Sequence, residues 1–125
     1  MNQFDGYAAE ITERAKDAGI PLVAVLIPNR AQAAMISAGE WPQGYDPYKI
    51  DDEVRSSITR HGGVFIDIFP DFRSVPNPED RFMPIDGHPD EEGHAMLANM
   101  IARELNLGVI PAPRYSPNAT LVTSR

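Results

Sequence analysis

Two short apolar runs constrain this 125-residue chain more than anything else in it. Residues 21–27 read Pro-Leu-Val-Ala-Val-Leu-Ile and are closed by Pro28, while residues 64–69 read Val-Phe-Ile-Asp-Ile-Phe and are closed by Pro70. Runs of this length and continuity fit strands buried on both faces, and such strands occur in parallel sheets covered by helices. The segments around them have a helical period. Phe4, Tyr7, Ala8, Ile11, Ala15 and Ala18 recur at helical spacing ahead of Gly19. Residues 30–38 are alanine-rich and stop at Gly39, and Asp51 or Asp52 can cap a helix that carries Val54 and Ile58 and ends at Gly62-Gly63. Leu97, Ala98, Ile101 and Leu105 mark a last helix that stops near Gly108. Helices alternating with strands predict an α/β fold with a parallel sheet. Two strands leave both outer edges of such a sheet unpaired, so the chain is expected to borrow strands from elsewhere.

Composition narrows the function classes. The formal net charge of −7, with no basic run, argues against a phosphate-binding surface for nucleic acid and against an electrostatic hold on anionic membranes. With no cysteine there is no disulfide, thiolate metal site or cysteine nucleophile. No apolar run is long enough to span a bilayer, and the first residues lack the basic and apolar regions of a secretory signal. The expectation is a soluble chain of unknown compartment, with residues 1–108 in one domain. Residues 109–125, with three prolines and no helical period, read as an extended or disordered arm.

The densest chemistry lies at residues 86–94, Asp-Gly-His-Pro-Asp-Glu-Glu-Gly-His. In an extended segment Asp86 and His88 point to the same face, with Cα atoms roughly 7 Å apart, so the carboxylate can reach a ring nitrogen. A carboxylate that orients an imidazole is two-thirds of a nucleophilic hydrolase triad. The plainer reading is a loop hydrogen bond that fixes the start of the last helix. Pro89 suits the first helical position, and Asp90, Glu91 and Glu92 complement the positive end of the helix dipole. His94 reads as helix packing or as a second catalytic group. Asp86, His88, Asp90 and His94 together could also ligate zinc or iron, although the acidic turn more simply serves the dipole.

Three blocks resemble the C-terminal part of the SGNH, or GDSL-like, hydrolases. Residues 26–32, Leu-Ile-Pro-Asn-Arg-Ala-Gln, are similar to a strand and loop with a Pro-x-Lys/Arg-x-Gln pattern. Residues 63–68, Gly-Val-Phe-Ile-Asp-Ile, are similar to that family's last strand. Residues 81–94, Arg-Phe-Met-Pro-Ile-Asp-Gly-His-Pro-x-x-x-Gly-His, resemble its final block, the most specific of the three. The likeness runs from the first helix to Leu107. It implies a three-layer α/β/α, flavodoxin-like fold of which this chain holds few strands. It also implies ester hydrolysis or acyl transfer on a small acyl ester or acylated carbohydrate, with no cofactor and no metal. Asp86 would orient the imidazole of His88, the base that activates a serine. Arg30 and Gln32 are candidate substrate-binding residues from their place after a strand end, not from the resemblance.

Two departures shape that reading. The spacing here is Asp-x-His where the commoner family form is Asp-x-x-His, and the shorter form is similar to a polysaccharide-acetylating branch. The family's Gly-Asp-Ser nucleophile block and its oxyanion Gly and Asn are not in the sequence. Ser37, Ser56, Ser57, Ser74, Ser116 and Ser124 all lack the flanking pattern, and Ser56 and Ser57 fall inside a helix, a poor place for a nucleophile turn. The expectation is the base half of a triad, inactive alone, completed by a missing N-terminal half. The alternative is a non-catalytic module that pairs through its open edge, as a homo-oligomer or with another chain.

Other groups have ordinary roles first. His61 before Gly62-Gly63 is a cation favoured by a helix C-terminus. Trp41, Tyr45 and Tyr48 either line a cleft or partner surface or simply cover the sheet. Arg30 and Gln32 follow the end of a strand, where open α/β sheets bind ligands, though solvation is the default for both. Asn118-Ala119-Thr120 fits a glycosylation sequon, a pattern short enough to arise by chance.

Overall fold

The computed structural model describes residues 2–108. The expected arm at residues 109–125 and the sequon within it lie outside the described residues. Helix α1 (Asn2–Asp17) is followed by strand β1 (Val23–Val25), helices α2 (Arg30–Ala38) and α3 (Lys49–Arg60), and strand β2 (Val64–Ile66). Two 3-10 helices, Phe69–Ser74 and Pro78–Arg81, then lead to helix α4 (Glu91–Asn106). The architecture is mixed helix and strand, and the two strands are parallel as expected, with Val23 opposite Val64, Ala24 opposite Phe65 and Val25 opposite Ile66.

Local chemistry sets the boundaries. Gly19 takes φ +73°, and the Ile20 N–H reaches back to the Ala15 carbonyl at 3.0 Å, a left-handed reversal that closes α1. At the start of α2, Asn29 Oδ1 accepts from the Gln32 N–H at 2.7 Å while Gln32 Oε1 accepts from the Asn29 N–H at 2.9 Å. This reciprocal capping box satisfies two donors that the helix itself cannot. Helix α3 begins earlier than the aspartates suggested: Tyr48 precedes it without a side-chain cap, which places Asp51 inside the first turn.

The core joins elements remote in sequence. Ala33 and Ile36 of α2 pack with Ile66, Ile68, Phe69, Phe72, Phe82, and Leu97 and Met100 of α4. Phe69 and Phe72 sit in the first 3-10 helix and are fully buried. The end of the expected strand and the residues past Pro70 are therefore an anchor of the core, each aromatic ring contributing on the order of 3–5 kcal/mol against truncation to alanine. Elsewhere α1 packs against α3, where the Asp5 carboxylate accepts from the buried Ser57 hydroxyl at 2.6 Å.

The apolar surface is not fully covered. The expectation of strands buried on both faces is corrected: Val23 and Ile27 are exposed, and among the described residues neither outer edge of the sheet is paired. Helix α1 tells the same story. It buries Ala8, Thr12 and Ala15 but leaves Tyr7 61% and Ile11 53% exposed, a shoulder roughly 90° round the helix from the buried face. The last helix likewise buries Leu97 and Met100 while Ala98 and Leu105 face solvent.

Candidate functional site

The chain makes a tight excursion between Arg81 and Asp90. Phe82 and Pro89 form an antiparallel bridge, the Met83 N–H donates to the His88 carbonyl at 2.7 Å, and the Asp90 N–H donates to the Arg81 carbonyl at 2.9 Å. Asp86, Gly87 and His88 lie in the loop this ladder closes. Gly87 has φ +76°, so the segment is a turn rather than the extended stretch expected from its spacing. The turn still brings the two groups together: Asp86 Oδ1 accepts from the His88 backbone N–H at 2.9 Å and lies 3.4 Å from its ring Nδ1. A carboxylate on Nδ1 leaves Nε2 as the nitrogen free to take a proton.

The pair stands in solvent, with side chains 79% exposed for His88 and 56% for Asp86. Screening at such exposure makes its own stabilisation of the fold small. Catalytic bases work in sites from which water is largely excluded, and the surroundings of this pair do not exclude it. The turn is held in place from below. Asp90 caps α4, its Oδ1 accepting from the Gly93 N–H at 2.8 Å, and the Arg81 guanidinium meets Glu92 at 2.8 Å. Pro89 is therefore not the first helical residue but stands two positions before it, in the bridge with Phe82. Gly93 lies so close to the Arg81 backbone that a Cβ would fall 2.1 Å from its carbonyl oxygen.

Arg30 and the dyad loop share a cavity of about 350 Å³ lined by Arg30, Ala31, Ala34, Glu79, Pro84, Ile85 and Gly87. Arg30 opens α2 just past the end of β1, with its Nε donating to the Glu79 carbonyl at 3.2 Å. The cavity is lined by the loop and the start of α2; Asp86, His88 and the residues of β1 are not part of its wall. Gln32 is not part of it either. Its amide is engaged in the capping box, and it borders a second cavity of about 350 Å³ with Gly44, Tyr45, Asp46, Lys49, Ile50 and Glu53.

No described serine has the setting of a nucleophile. Ser57 is 2% exposed and donates to Asp5, Ser37 donates to the Val75 carbonyl at 2.5 Å, and Ser56 and Ser74 lie on α3 and at the end of the first 3-10 helix. Ser116 and Ser124 lie outside the described residues. His94 turns back on its own helix, its Nδ1 2.8 Å from the Asp90 carbonyl. Among the described residues no group of three His, Cys, Asp or Glu side chains is placed to hold a metal ion, and no helix is long and apolar enough to cross a membrane.

Two clusters went unnoticed in the sequence. The Asp5 carboxylate binds Ser57, Arg60 and His61 across the α1–α3 contact, and the Ser57 and Arg60 donors hold its pKa down to about 2. His61 thus belongs to a tertiary ion cluster as well as to a helix end. Asp51 is the opposite case. It is 1% exposed, neither oxygen has a hydrogen-bond partner among the described residues, and burial together with the neighbouring Asp67 pushes its pKa up to about 8. Neither aspartate carries a sequence signal, because both effects come from contacts between elements far apart in the chain. No protein-family model, no curated protein and no solved structure matches the chain.

Proposed function

We propose that this chain is the C-terminal part of an SGNH-type ester hydrolase or acyltransferase with a three-layer α/β/α domain. Asp86 orients His88, and His88 is the base for a serine supplied from outside residues 1–125. The observation that carries the reading is the 3.4 Å approach of Asp86 Oδ1 to His88 Nδ1, in a loop that borders a cavity with Arg30. Four further features support it. Among the described residues the nucleophile has no candidate serine, the dyad is unshielded, the sheet edges are unpaired, and α1 keeps an open apolar shoulder. All four fit a domain that continues beyond this chain. The substrate is a small acyl ester or acylated carbohydrate, with the guanidinium of Arg30 over the cavity that would receive it.

Turnover of p-nitrophenyl acetate tests this. The polypeptide encoded by the reading frame that contains this chain hydrolyses the ester, and His88→Ala lowers the rate by about 100-fold or more, the usual contribution of a positioned base. The isolated chain and its His88→Ala variant turn over at equal, near-background rates. A full polypeptide indifferent to His88→Ala sinks the proposal.

A second reading is a non-catalytic module that binds through its open edge, and the exposure of Val23 in β1 and of Ile27 just beyond it favours it. Sedimentation at increasing concentration separates the two. Association abolished by Val23→Lys, with no esterase activity in the full polypeptide, selects the binding module.

A further inference from the structure

Arg30 stands out among the cations of this chain. Arg14, Arg55, Arg60, Arg81 and Arg103 each pair with a carboxylate, whereas Arg30 has no carboxylate partner among the described residues. With 18 acidic residues against 11 basic ones, acids are not in short supply. The position is also a poor one for helix stability. Arg30 is the first residue of α2, at the positive end of the helix dipole, where a carboxylate is favoured and a cation is not. The capping box needs only Asn29 and Gln32. Local structure therefore gives no reason for a cation here.

Its side chain is nevertheless anchored. Arg30 is half-buried, and its Nε donates to the backbone carbonyl of Glu79 at 3.2 Å. That bond uses the Nε–H and leaves the N–H groups of both terminal nitrogens. Arg30 stands in the wall of the cavity of about 350 Å³, with Ala31 and Ala34 of the same helix and Pro84, Ile85 and Gly87 of the dyad loop. None of these five neighbours carries a charge, and Ile85 is 99% exposed, an apolar wall open to solvent. A single anchored guanidinium beside apolar walls selects a ligand class. The fork of terminal N–H groups matches the two oxygens of a carboxylate. A phosphate dianion meets only one positive charge here, in a protein of net charge −7, and is the poorer match.

We propose that the Arg30 cavity binds a small monocarboxylate. Its two oxygens meet the terminal nitrogens of Arg30, and its short apolar body lies against Ala31, Ala34, Pro84 and Ile85. The site uses neither Asp86 nor His88, so binding there stands apart from the esterase reading. Combined with that reading, on which this step alone rests, it narrows the substrate to an ester that also carries a free carboxylate.

Butyrate is the probe, and butyramide, its uncharged counterpart of the same shape, is the control. Each is titrated into the 125-residue chain at pH 7 and constant ionic strength, with backbone amide NMR shifts as the readout. The amides of Ala31, Ala34 and Gly87 shift saturably with butyrate, and butyramide binds more weakly by about 10-fold or more. Arg30→Gln removes the charge and the fork and weakens butyrate binding by about 10-fold or more. Arg30→Lys keeps the charge without the fork and falls between. No saturable shift, equal binding of butyramide, or butyrate binding that survives Arg30→Gln overturns the site. Methyl phosphate bound more tightly than butyrate overturns the choice of a carboxylate. Should Arg30→Gln lack a folded far-UV spectrum, the comparison of butyrate with butyramide in the wild type decides alone. None of these outcomes depends on turnover. Arg30-dependent butyrate binding alongside a full polypeptide without esterase activity sinks the esterase reading and leaves the site standing.

Discussion

Replacing Gly93 by alanine inverts an ordinary rule and tests how the dyad loop is held. In the first turn of an exposed helix, glycine to alanine stabilises by up to about 1 kcal/mol through backbone entropy. Here the added Cβ would lie 2.1 Å from the Arg81 carbonyl oxygen, 3.1 Å from Pro89 Cβ and 3.2 Å from the Arg81 carbonyl carbon. Two of these three atoms are backbone, so the overlap cannot be relieved by turning a side chain. The first turn of α4 has to move away from Arg81 by about 1 Å, since contacts between such atoms settle above 3 Å. That movement stretches the 2.9 Å bond from the Asp90 N–H to the Arg81 carbonyl and loosens the Phe82–Pro89 bridge. A lost hydrogen bond costs about 1 kcal/mol and overpacking about 1–3 kcal/mol, so the entropy gain is outweighed. The expected net loss is about 1–3 kcal/mol, read from urea unfolding followed by far-UV circular dichroism. A domain of this size shifts its melting temperature by roughly 4 °C per kcal/mol. An alanine variant as stable as the parent, or more stable, refutes the claim that glycine is required by the approach of α4 to Arg81.

Other outcomes follow from the two aspartate clusters and the α2 cap. Asp51 titrates at about 8 when folded and near 3.8 when unfolded, so its contribution is intact below pH 4 and is lost as pH rises through 8. Asp51→Asn is therefore more stable than wild type at pH 7, by up to about 4 kcal/mol at 1.36 kcal/mol per unit, with a gap that narrows toward pH 4. A difference that does not vary with pH in urea unfolding removes this assignment. Asp5 has the opposite sign: with a folded pKa of about 2, its stabilisation is present above pH 4 and is lost as pH falls toward 2. Acid unfolding of Asp5→Asn is then shallower over that range, and identical curves would discount the cluster. Asn29→Ala removes half of the capping box and costs about 1 kcal/mol, measured by thermal unfolding.

What the sequence could reveal depended on how local the cause was. The two strand segments and the reversal at Gly19 are legible because each is set by a few neighbouring residues, while the equally local Asn29–Gln32 cap goes unread. Phe69 reads as the last residue of the strand run closed by Pro70 and Phe72 falls beyond it, and only tertiary packing makes the two the anchors of a buried 3-10 turn. Pro89 suits a first helical position by its chemistry, yet Asp90 is the stronger cap and the bridge to Phe82 takes the proline. The Asp86–His88 contact was anticipated for the wrong geometric reason, since Gly87 makes a turn where an extended segment was expected. Gln32 was assigned to substrate, and a local competitor, the N–H of Asn29, holds its side chain instead. Burial of Asp51 beside Asp67 depends on residues sixteen positions apart meeting at one junction, which no short pattern encodes.

The most direct measurement of the central proposal is covalent. A fluorophosphonate, which reacts with a serine activated by a neighbouring base, is applied to the polypeptide encoded by the reading frame that contains this chain. Peptide mass analysis then locates the label. The account predicts one labelled serine outside residues 1–125, with labelling that drops by about 100-fold or more in His88→Ala. No labelled serine, or a label indifferent to His88, would contradict it.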